Sequence, residues 1–105
     1  MAQFDVHRNI GLRKVEIPLL VIVQSRRFDA LGRRVVVPLV LRLRALVTEE
    51  RLNPVFEIDG IEVTLNPLEI FSIALDQLGP KIGSLAPEGD RIIAALDLVI
   101  SRAWG

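Results

Sequence analysis

Short apolar stretches separated by turn residues run through the first three quarters of the chain. Residues 3–6 begin with alternating character and predict a short strand. Residues 16–24 form a continuous run rich in Ile, Leu and Val, which is typical of a buried strand. Residues 25–33 are polar and predict a loop. Residues 34–39 predict another strand, which should end at Pro38 or place it at a bulge or an edge, because proline cannot donate a ladder hydrogen bond.

A hairpin gives the clearest local pattern. Two alternating runs, Val55–Ile58 and Ile61–Leu65, flank the pair Asp59-Gly60. Asp-Gly favours the two-residue hairpin turn in which both central residues have positive φ. The resulting register places Glu57 opposite Glu62. Because directly opposed like charges are destabilising, we expect this face of the hairpin to be exposed to solvent.

The last third of the chain predicts one helix. Residues 68–78 fit either a helix or a strand, and the pairs Gly79-Pro80 and Gly83-Ser84 predict turns. Pro87 suits the first position of a helix, where its missing N–H costs nothing. Apolar residues then recur at helical spacing at Ile92, Ile93, Leu96, Val99, Ile100 and Ala103. Many short strands followed by one helix predict a small β barrel or sandwich with an added C-terminal helix.

Composition favours one domain over residues 1–105 that acts by binding. The chain has no cysteine and only His7 as histidine, so it offers no thiolate or multi-histidine metal site and no obvious catalytic triad. We therefore expect no catalytic residue, no cofactor, no metal and no enzymatic activity. Residues 1–6 lack the pattern of a signal peptide, and no apolar run is long enough to span a bilayer, so we expect a cytoplasmic protein with no membrane partner.

The zero net charge conceals an asymmetry. Thirteen basic residues balance thirteen acidic ones, which argues against direct nucleic-acid binding. Residues 1–51 nevertheless carry a net charge of +5 and residues 52–105 one of −5. An Arg-bearing face of this kind would attract an acidic partner segment, because the guanidinium group binds carboxylates bidentately.

Two features remain unexplained by a plain soluble domain. Residues 25–34 carry four arginines together with Phe28, and the only tryptophan, Trp104, is the next-to-last residue. Exposed aromatic residues are frequent anchors at interfaces.

The motif Gln24-Ser25, then Gly32-Arg33-Arg34, then Pro38-Leu39 resembles the CcdB family of toxins. The Gln3-Phe4 start, residues 92–97 and the terminal Trp104-Gly105 are similar to the same family. The resemblance implies an SH3-like barrel of the CcdB and MazF type that acts as a homodimer, and it makes residues 68–78 extended. It also implies a toxin that binds the DNA gyrase A subunit and traps the cleaved gyrase–DNA complex, with a CcdA-like antitoxin as its neutralising partner.

Carried over position by position, the resemblance implies a set of gyrase-binding residues. Ungapped alignment from Ile92 places the family's tryptophan at Ser101. Trp104 therefore lies three residues C-terminal to that position, a separation close to one helical turn. The expected gyrase-binding residues are Phe4, Ser25, Arg27, Phe28, Ser101, Trp104 and Gly105.

The antitoxin of this family has a disordered tail that folds onto the toxin. The basic half of the chain suits an acidic tail, and residues 40–46 alternate so that two of its arginines share one strand face. The expected antitoxin-binding residues are Arg8, Arg13, Lys14, Arg42 and Arg44.

Two alternatives remain open. Ribonuclease toxins of the MazF and Kid type share the barrel, and residues 33–37 loosely resemble their Arg-Pro-Val-Val-Val strand. Those toxins cut RNA with an arginine and an acidic or hydroxyl partner. The other alternative is a binding protein of the same fold that no longer poisons gyrase, which the position of Trp104 would favour.

Overall fold

The computed structural model of the chain describes residues 2–11, 13–41 and 49–101, without the side chains of Arg26, Asp29 and Ser101. Within this part, seven strands precede one α-helix. They are β1 (Asp5–Asn9), β2 (Leu19–Ile22), β3 (Arg33–Leu41), β4 (Val55–Ile58), β5 (Ile61–Leu65), β6 (Phe71–Ala74), β7 (Leu78–Ser84) and α1 (Gly89–Ser101).

The strands form one antiparallel half-barrel sheet in the order β4-β5-β3-β2-β1-β7, and β6 pairs with the first half of β3. The predicted class, mainly β with a C-terminal helix, is confirmed. No helix among the described residues is long and apolar enough to cross a membrane.

The sheet buries apolar side chains on both faces, which explains the continuous apolar run of β2. Alternate residues such as Leu19 and Val21 join the larger core cluster, which includes Ile92 and Ala95 of α1. Leu20 belongs to a smaller cluster with Ile22, Val36, Ile17 and Leu78. Because successive side chains point to opposite faces of a strand, these two clusters lie on the two sides of the sheet.

Strand β3 continues through Pro38, where the sequence predicts an end, a bulge or an edge. On one side β6 pairs with residues 33–36 and β5 with residues 39–41. Pro38 lies between these two partners, and its carbonyl accepts a hydrogen bond from Asn66 N at 3.0 Å on that side. In an extended strand the N and C=O of one residue point the same way, so the missing N–H faces the gap between β5 and β6 and breaks no ladder bond.

The predicted hairpin is confirmed in turn and register. Asp59 and Gly60 have φ values of 53° and 79°, and Ile58 lies opposite Ile61. Glu57 and Glu62 are opposed and exposed, as the pattern requires.

The turns predicted at Gly79-Pro80 and Gly83-Ser84 are wrong, because both pairs lie inside β7. Strand β7 is at the edge of the described sheet and pairs only with β1, through two register shifts that accommodate Pro80. A Cβ at Gly79 would lie 2.6 Å from the Arg8 carbonyl oxygen, so this glycine permits the close approach of β1. The strand expected over residues 68–78 covers only 71–74 and the start of β7, and short 3-10 helices occupy Pro67–Glu69 and Leu75–Gln77.

The observed element boundaries and the exposure of some helix residues add detail to the predictions. Strand β1 begins at Asp5, and residues 25–33 contain a 3-10 helix, Arg26–Leu31. Helix α1 follows a 3-10 helix, Ala86–Glu88, that contains Pro87 near its start. Of the apolar residues that recur at helical spacing, Ile93 and Ile100 are 46% and 70% exposed. The alternating stretch 40–46 lies mostly outside the described residues.

Candidate functional site

The arginine segment, residues 25–34, connects β2 to β3 at one end of the sheet. Its 3-10 helix is capped by Ser25, whose Oγ accepts a hydrogen bond from the Arg27 N–H at 3.3 Å. Gly32 ends the helix in the left-handed conformation with φ of 75°, and its carbonyl accepts from Leu75 N at 3.2 Å. The bond from Leu75 fixes the second half of the segment to the body of the protein, whereas the Ser25 cap is internal to the segment.

Phe28 is exposed on this segment, although its backbone N–H and carbonyl are both hydrogen bonded. Its side chain is 44% exposed, while its N–H donates to the Ser25 carbonyl at 3.1 Å. Its own carbonyl accepts from Gln24 Nε2 and from Arg34 Nη1, each at 3.4 Å. The Arg27 guanidinium carbon lies 5.7 Å from the Phe28 ring centroid, within cation–π range.

Arg34 lies beneath the segment and is only 3% exposed. Its Nη1 also donates to the Arg33 carbonyl at 2.7 Å. A buried guanidinium is tolerated when it is hydrogen bonded, and here it holds together the carbonyls of Phe28 and Arg33. Arg34 therefore supports the segment from inside.

Arg33 faces solvent and is fixed by Ser72 on the neighbouring strand β6. Its Nε donates to the Ser72 hydroxyl at 2.8 Å and its Nη2 to the Ser72 carbonyl at 2.9 Å. Among the described residues, its remaining guanidinium donors have no partner. This exposed and oriented guanidinium is suited to an anion such as a phosphate.

By sequence, residues 25–34 contain four arginines and one carboxylate, Asp29, whose side chain is not among those described. Within residues 2–11, 13–41 and 49–101, no group of three or more His, Cys, Asp or Glu side chains is arranged to hold a metal ion. The chemistry that the site offers is therefore that of guanidinium groups, a serine hydroxyl and an exposed aromatic ring.

The predicted gyrase-binding residues do not all lie at this end of one chain. Phe4 has φ of 71°, its carbonyl accepts from Leu85 N at 2.8 Å, and its ring fills the space beside Gly89 at the start of α1. Ser101 ends α1, about 18 Å further along the helix axis at 1.5 Å per residue. Trp104 and Gly105 lie outside the described residues.

Of the predicted antitoxin-binding residues, Arg13 lines a groove on the other side of the sheet from α1. Arg13 donates hydrogen bonds to Glu69 at 2.9 Å and to Glu16 at 3.4 Å, and the bond that Glu69 accepts raises the pKa of Arg13 above its ordinary value. Lys14 is exposed, and Arg8 is 4.0 Å from Asp59. The groove has a volume of about 580 Å³, and Gly11, Arg13, Ile17, Leu20, Phe71 and Ile73 line part of it. Arg42 and Arg44 lie outside the described residues.

Sequence reasoning missed Ser72 and Gln24 as parts of the site. Gln24 belongs to the conspicuous motif, but its bond to the Phe28 carbonyl is a detail of the local fold. Ser72 lies in the ambiguous stretch 68–78 and meets Arg33 only through the pairing of β3 with β6, so no local pattern marks it.

Comparison with known proteins shows a family and a fold. A family model described as CcdB protein matches residues 3–101. No curated protein matches the sequence. A solved structure of a mycobacterial endoribonuclease in complex with its cognate antitoxin is similar, with a TM-score of 0.74, 19% identity, and coverage of 100% of this chain and 99% of the other. A second mycobacterial endoribonuclease gives a TM-score of 0.74 and 20% identity, with 100% and 95% coverage.

The expectation that the chain is not an enzyme is wrong. It rested on the lack of cysteine and on a single histidine, whereas the solved structures that share its fold over its whole length are endoribonucleases. A lack of cysteine and a single histidine do not exclude enzymatic activity, because phosphoryl transfer can be catalysed by positioning and electrostatic stabilisation, for which arginine and hydroxyl groups can serve.

Proposed function

The chain belongs to the CcdB family, which supports a toxin of a toxin–antitoxin system, and we propose that this toxin is an endoribonuclease. The observation that carries the proposal is the exposed Arg33 guanidinium fixed on Ser72. It supplies an arginine with a hydroxyl partner at the end of a sheet whose fold is shared with endoribonucleases. The proposal replaces the expectation that the chain binds no nucleic acid.

The reaction uses the 2′-hydroxyl of the RNA itself. Its oxygen attacks the adjacent phosphorus and forms a P–O2′ bond, and its proton passes to solvent. The P–O5′ bond breaks and the 5′-oxygen takes up a proton. The products are a 2′,3′-cyclic phosphate and a 5′-hydroxyl, with no oxidant or co-reactant.

Arg33 and Ser72 stabilise the charge that develops on the phosphoryl oxygens. The partner-free guanidinium donors of Arg33 bind one oxygen. Because the Ser72 hydroxyl oxygen accepts from Arg33 Nε, its own O–H can donate to the phosphate. Ser72 also fixes the guanidinium plane through its carbonyl, so that little reorganisation is needed during the reaction.

The test is cleavage of single-stranded RNA in the presence of a chelator, with the ends of the products identified. We expect cyclic phosphate ends, and a loss of about 10²–10³ in kcat for Arg33→Ala and a smaller loss for Ser72→Ala, as for single oxyanion donors. Arg8→Ala removes another exposed arginine and is the matched control, expected to keep wild-type activity. If purified wild-type protein leaves RNA intact, or if Arg33→Ala cleaves as fast as wild type, the nuclease proposal is wrong.

Gyrase binding is a second candidate function, favoured by the family match. Its contact surface would include Ser25, Arg27, Phe28, Phe4, Ser101, Trp104 and Gly105. The assay is accumulation of cleaved DNA by gyrase in the presence of the protein. If Trp104 is the anchor, Trp104→Ala should abolish that accumulation while leaving RNA cleavage unchanged.

We also propose a neutralising antitoxin partner with an acidic segment that binds at Arg8, Arg13 and Lys14, together with Arg42 and Arg44. A structural relative is in complex with its cognate antitoxin. The groove beside Arg13 would accept apolar side chains of that segment. Affinity that is unchanged between 50 mM and 500 mM salt would contradict the electrostatic part of this proposal, because exposed charges are screened over this range.

We propose that two copies of the chain pair as a homodimer through α1. Ile93 and Ile100 are exposed seven residues apart and therefore share one face of the helix, away from the buried Ile92 and Ala95. Such an apolar stripe is suited to a second copy of the same helix.

A further inference from the structure

We propose that Phe28 is a stacking platform for one unpaired nucleobase of an RNA strand whose phosphate is bound by Arg33. The inference rests on the proposed nuclease function and adds to it a base-binding position and a substrate class, single-stranded RNA. No chemical step is assigned to Phe28.

The first argument is that the Phe28 ring is exposed although the backbone N–H and carbonyl of the residue are hydrogen bonded. A 44% exposed phenylalanine forgoes part of the stabilisation that burial would give, yet the backbone around it is restrained at both its N–H and its carbonyl. The carbonyl is bonded by Gln24 and by Arg34, which is itself 3% exposed. A fixed backbone lowers the entropy that is lost when a base stacks on the ring.

The second argument is the charge around the ring. Arg27 lies over the ring and Arg33 faces solvent in the same segment. By sequence, residues 25–34 contain four arginines and one carboxylate, Asp29, so the segment has a net positive charge. An exposed aromatic ring among arginines is typical of surfaces that bind single-stranded nucleic acid, where the cations follow phosphates and the ring receives a base.

The third argument is proximity. One atom, Arg34 Nη1, bonds both the Phe28 carbonyl at 3.4 Å and the Arg33 carbonyl at 2.7 Å, so these two oxygens are at most about 6 Å apart. The backbones of Phe28 and Arg33 are therefore neighbours, although the two residues are five apart in sequence. A paired base exposes only its edges, so the platform selects unpaired strands.

The experiment measures binding apart from cleavage. A fluorescent single-stranded RNA with 2′-O-methyl groups lacks the attacking hydroxyl and cannot be cut, so its anisotropy reports Kd alone. Phe28→Ala should weaken binding by about 5- to 150-fold, the range of one base–aromatic stack. Phe28→Trp should bind at least as tightly as wild type. Leu31→Ala, a neighbouring exposed residue at 69%, is the matched control and should bind as wild type does.

Phe28→Leu separates stacking from general apolar contact. Leucine keeps apolar area without a π face, so stacking predicts that this variant binds as weakly as Phe28→Ala. If Phe28→Leu binds RNA like wild type, the side chain acts only as a general apolar contact and the stacking platform is disproved. Circular dichroism of each variant establishes that it is folded before its Kd is interpreted.

An abasic scan of the RNA supplies an independent measurement. Removing one base should weaken wild-type binding at a single position and have no effect on Phe28→Ala at that position. Wild type that cleaves RNA but shows no sensitive position would overturn the platform and leave the nuclease function intact. Wild type that neither binds nor cleaves RNA would overturn both.

Discussion

Adjacent arginines at positions 33 and 34 have opposite environments, because successive residues of a strand face opposite sides of the sheet. Arg33 is exposed and bound to Ser72, whereas Arg34 is buried and bonded to two backbone carbonyls. The motif that marks both residues in the sequence therefore contains one functional candidate and one supporting residue. Which is which depends on the strand register, which the motif alone does not contain.

The buried hydroxyl of Thr64 gives a prediction for stability. The residue is 2% exposed, and among the described residues its Oγ1 has no hydrogen-bond partner. Thr64→Val should stabilise the protein by about 1 kcal/mol, because it removes a desolvated polar group at nearly constant volume. Thr64→Ser keeps the hydroxyl, loses a methyl group and should destabilise. Urea unfolding checks both variants, and a destabilised Thr64→Val would show that the hydroxyl is satisfied.

Gly79 gives a second prediction at this scale. Gly79→Ala places a Cβ 2.6 Å from the Arg8 carbonyl oxygen, which is backbone of the paired strand. It should cost about 1–3 kcal/mol, the usual cost of overpacking. Gly83→Ala in the same strand is the control, since its nearest contact is 3.9 Å from Ile58 Cγ2. Equal midpoints of thermal unfolding for the two variants would contradict the close approach of β1.

At the scale of elements, a short motif predicts structure well where it favours a single turn type. Asp59-Gly60 fixes turn type and register together, and the observed hairpin agrees with both. Pro38 and Gly79-Pro80 are equally strong local indicators, but tertiary pairing overrides them. The gap between β5 and β6 accommodates one proline, and a single-sided pairing with shifted register accommodates the other. The sequence separation of 39 between Arg33 and Ser72 likewise places that contact beyond any local pattern.

The hairpin also permits a test of cross-strand charge. Glu57→Lys replaces a like-charge pair with Glu62 by an opposite-charge pair and should stabilise the protein by about 0.2–1 kcal/mol at low salt. Glu57→Gln removes the repulsion without adding attraction and should give a smaller gain. The difference between the variants should shrink in 1 M NaCl, and a difference that persists in high salt would indicate a non-electrostatic cause.

At the scale of the whole molecule, the sequence predicts the fold class and the family. It predicts less well which apolar side chains are exposed. The periodicity of α1 identifies apolar residues over a broad arc but does not say which of them the sheet covers. Ile92 and Ala95 are buried and Leu96 packs against the core, whereas Ile93 and Ile100 are exposed.

The proposed dimer gives the prediction for this scale. Ile100→Asp should convert the protein to a monomer in sedimentation equilibrium, because a charge on an apolar helix interface is costly to desolvate. Leu68→Asp is the control, since Leu68 is 68% exposed against 70% for Ile100 and lies outside α1. A dimer that survives Ile100→Asp, or wild-type protein that sediments as a monomer, would contradict pairing through this stripe.

Pro80 lies in β7, where the sequence predicts a turn, and it affects how copies of the molecule can associate. An edge strand normally offers a row of free amide and carbonyl groups, which can template fibrils by adding strands from other molecules. Along β7 that row is interrupted by Pro80, which has no amide hydrogen, and by the charge of Lys81, and the shifted register with β1 disturbs its regularity. Growth of a continuous intermolecular sheet is thereby hindered at this edge. Half of the residues of the chain are apolar, and at this edge of the described sheet Pro80 and Lys81 oppose the addition of strands from other molecules.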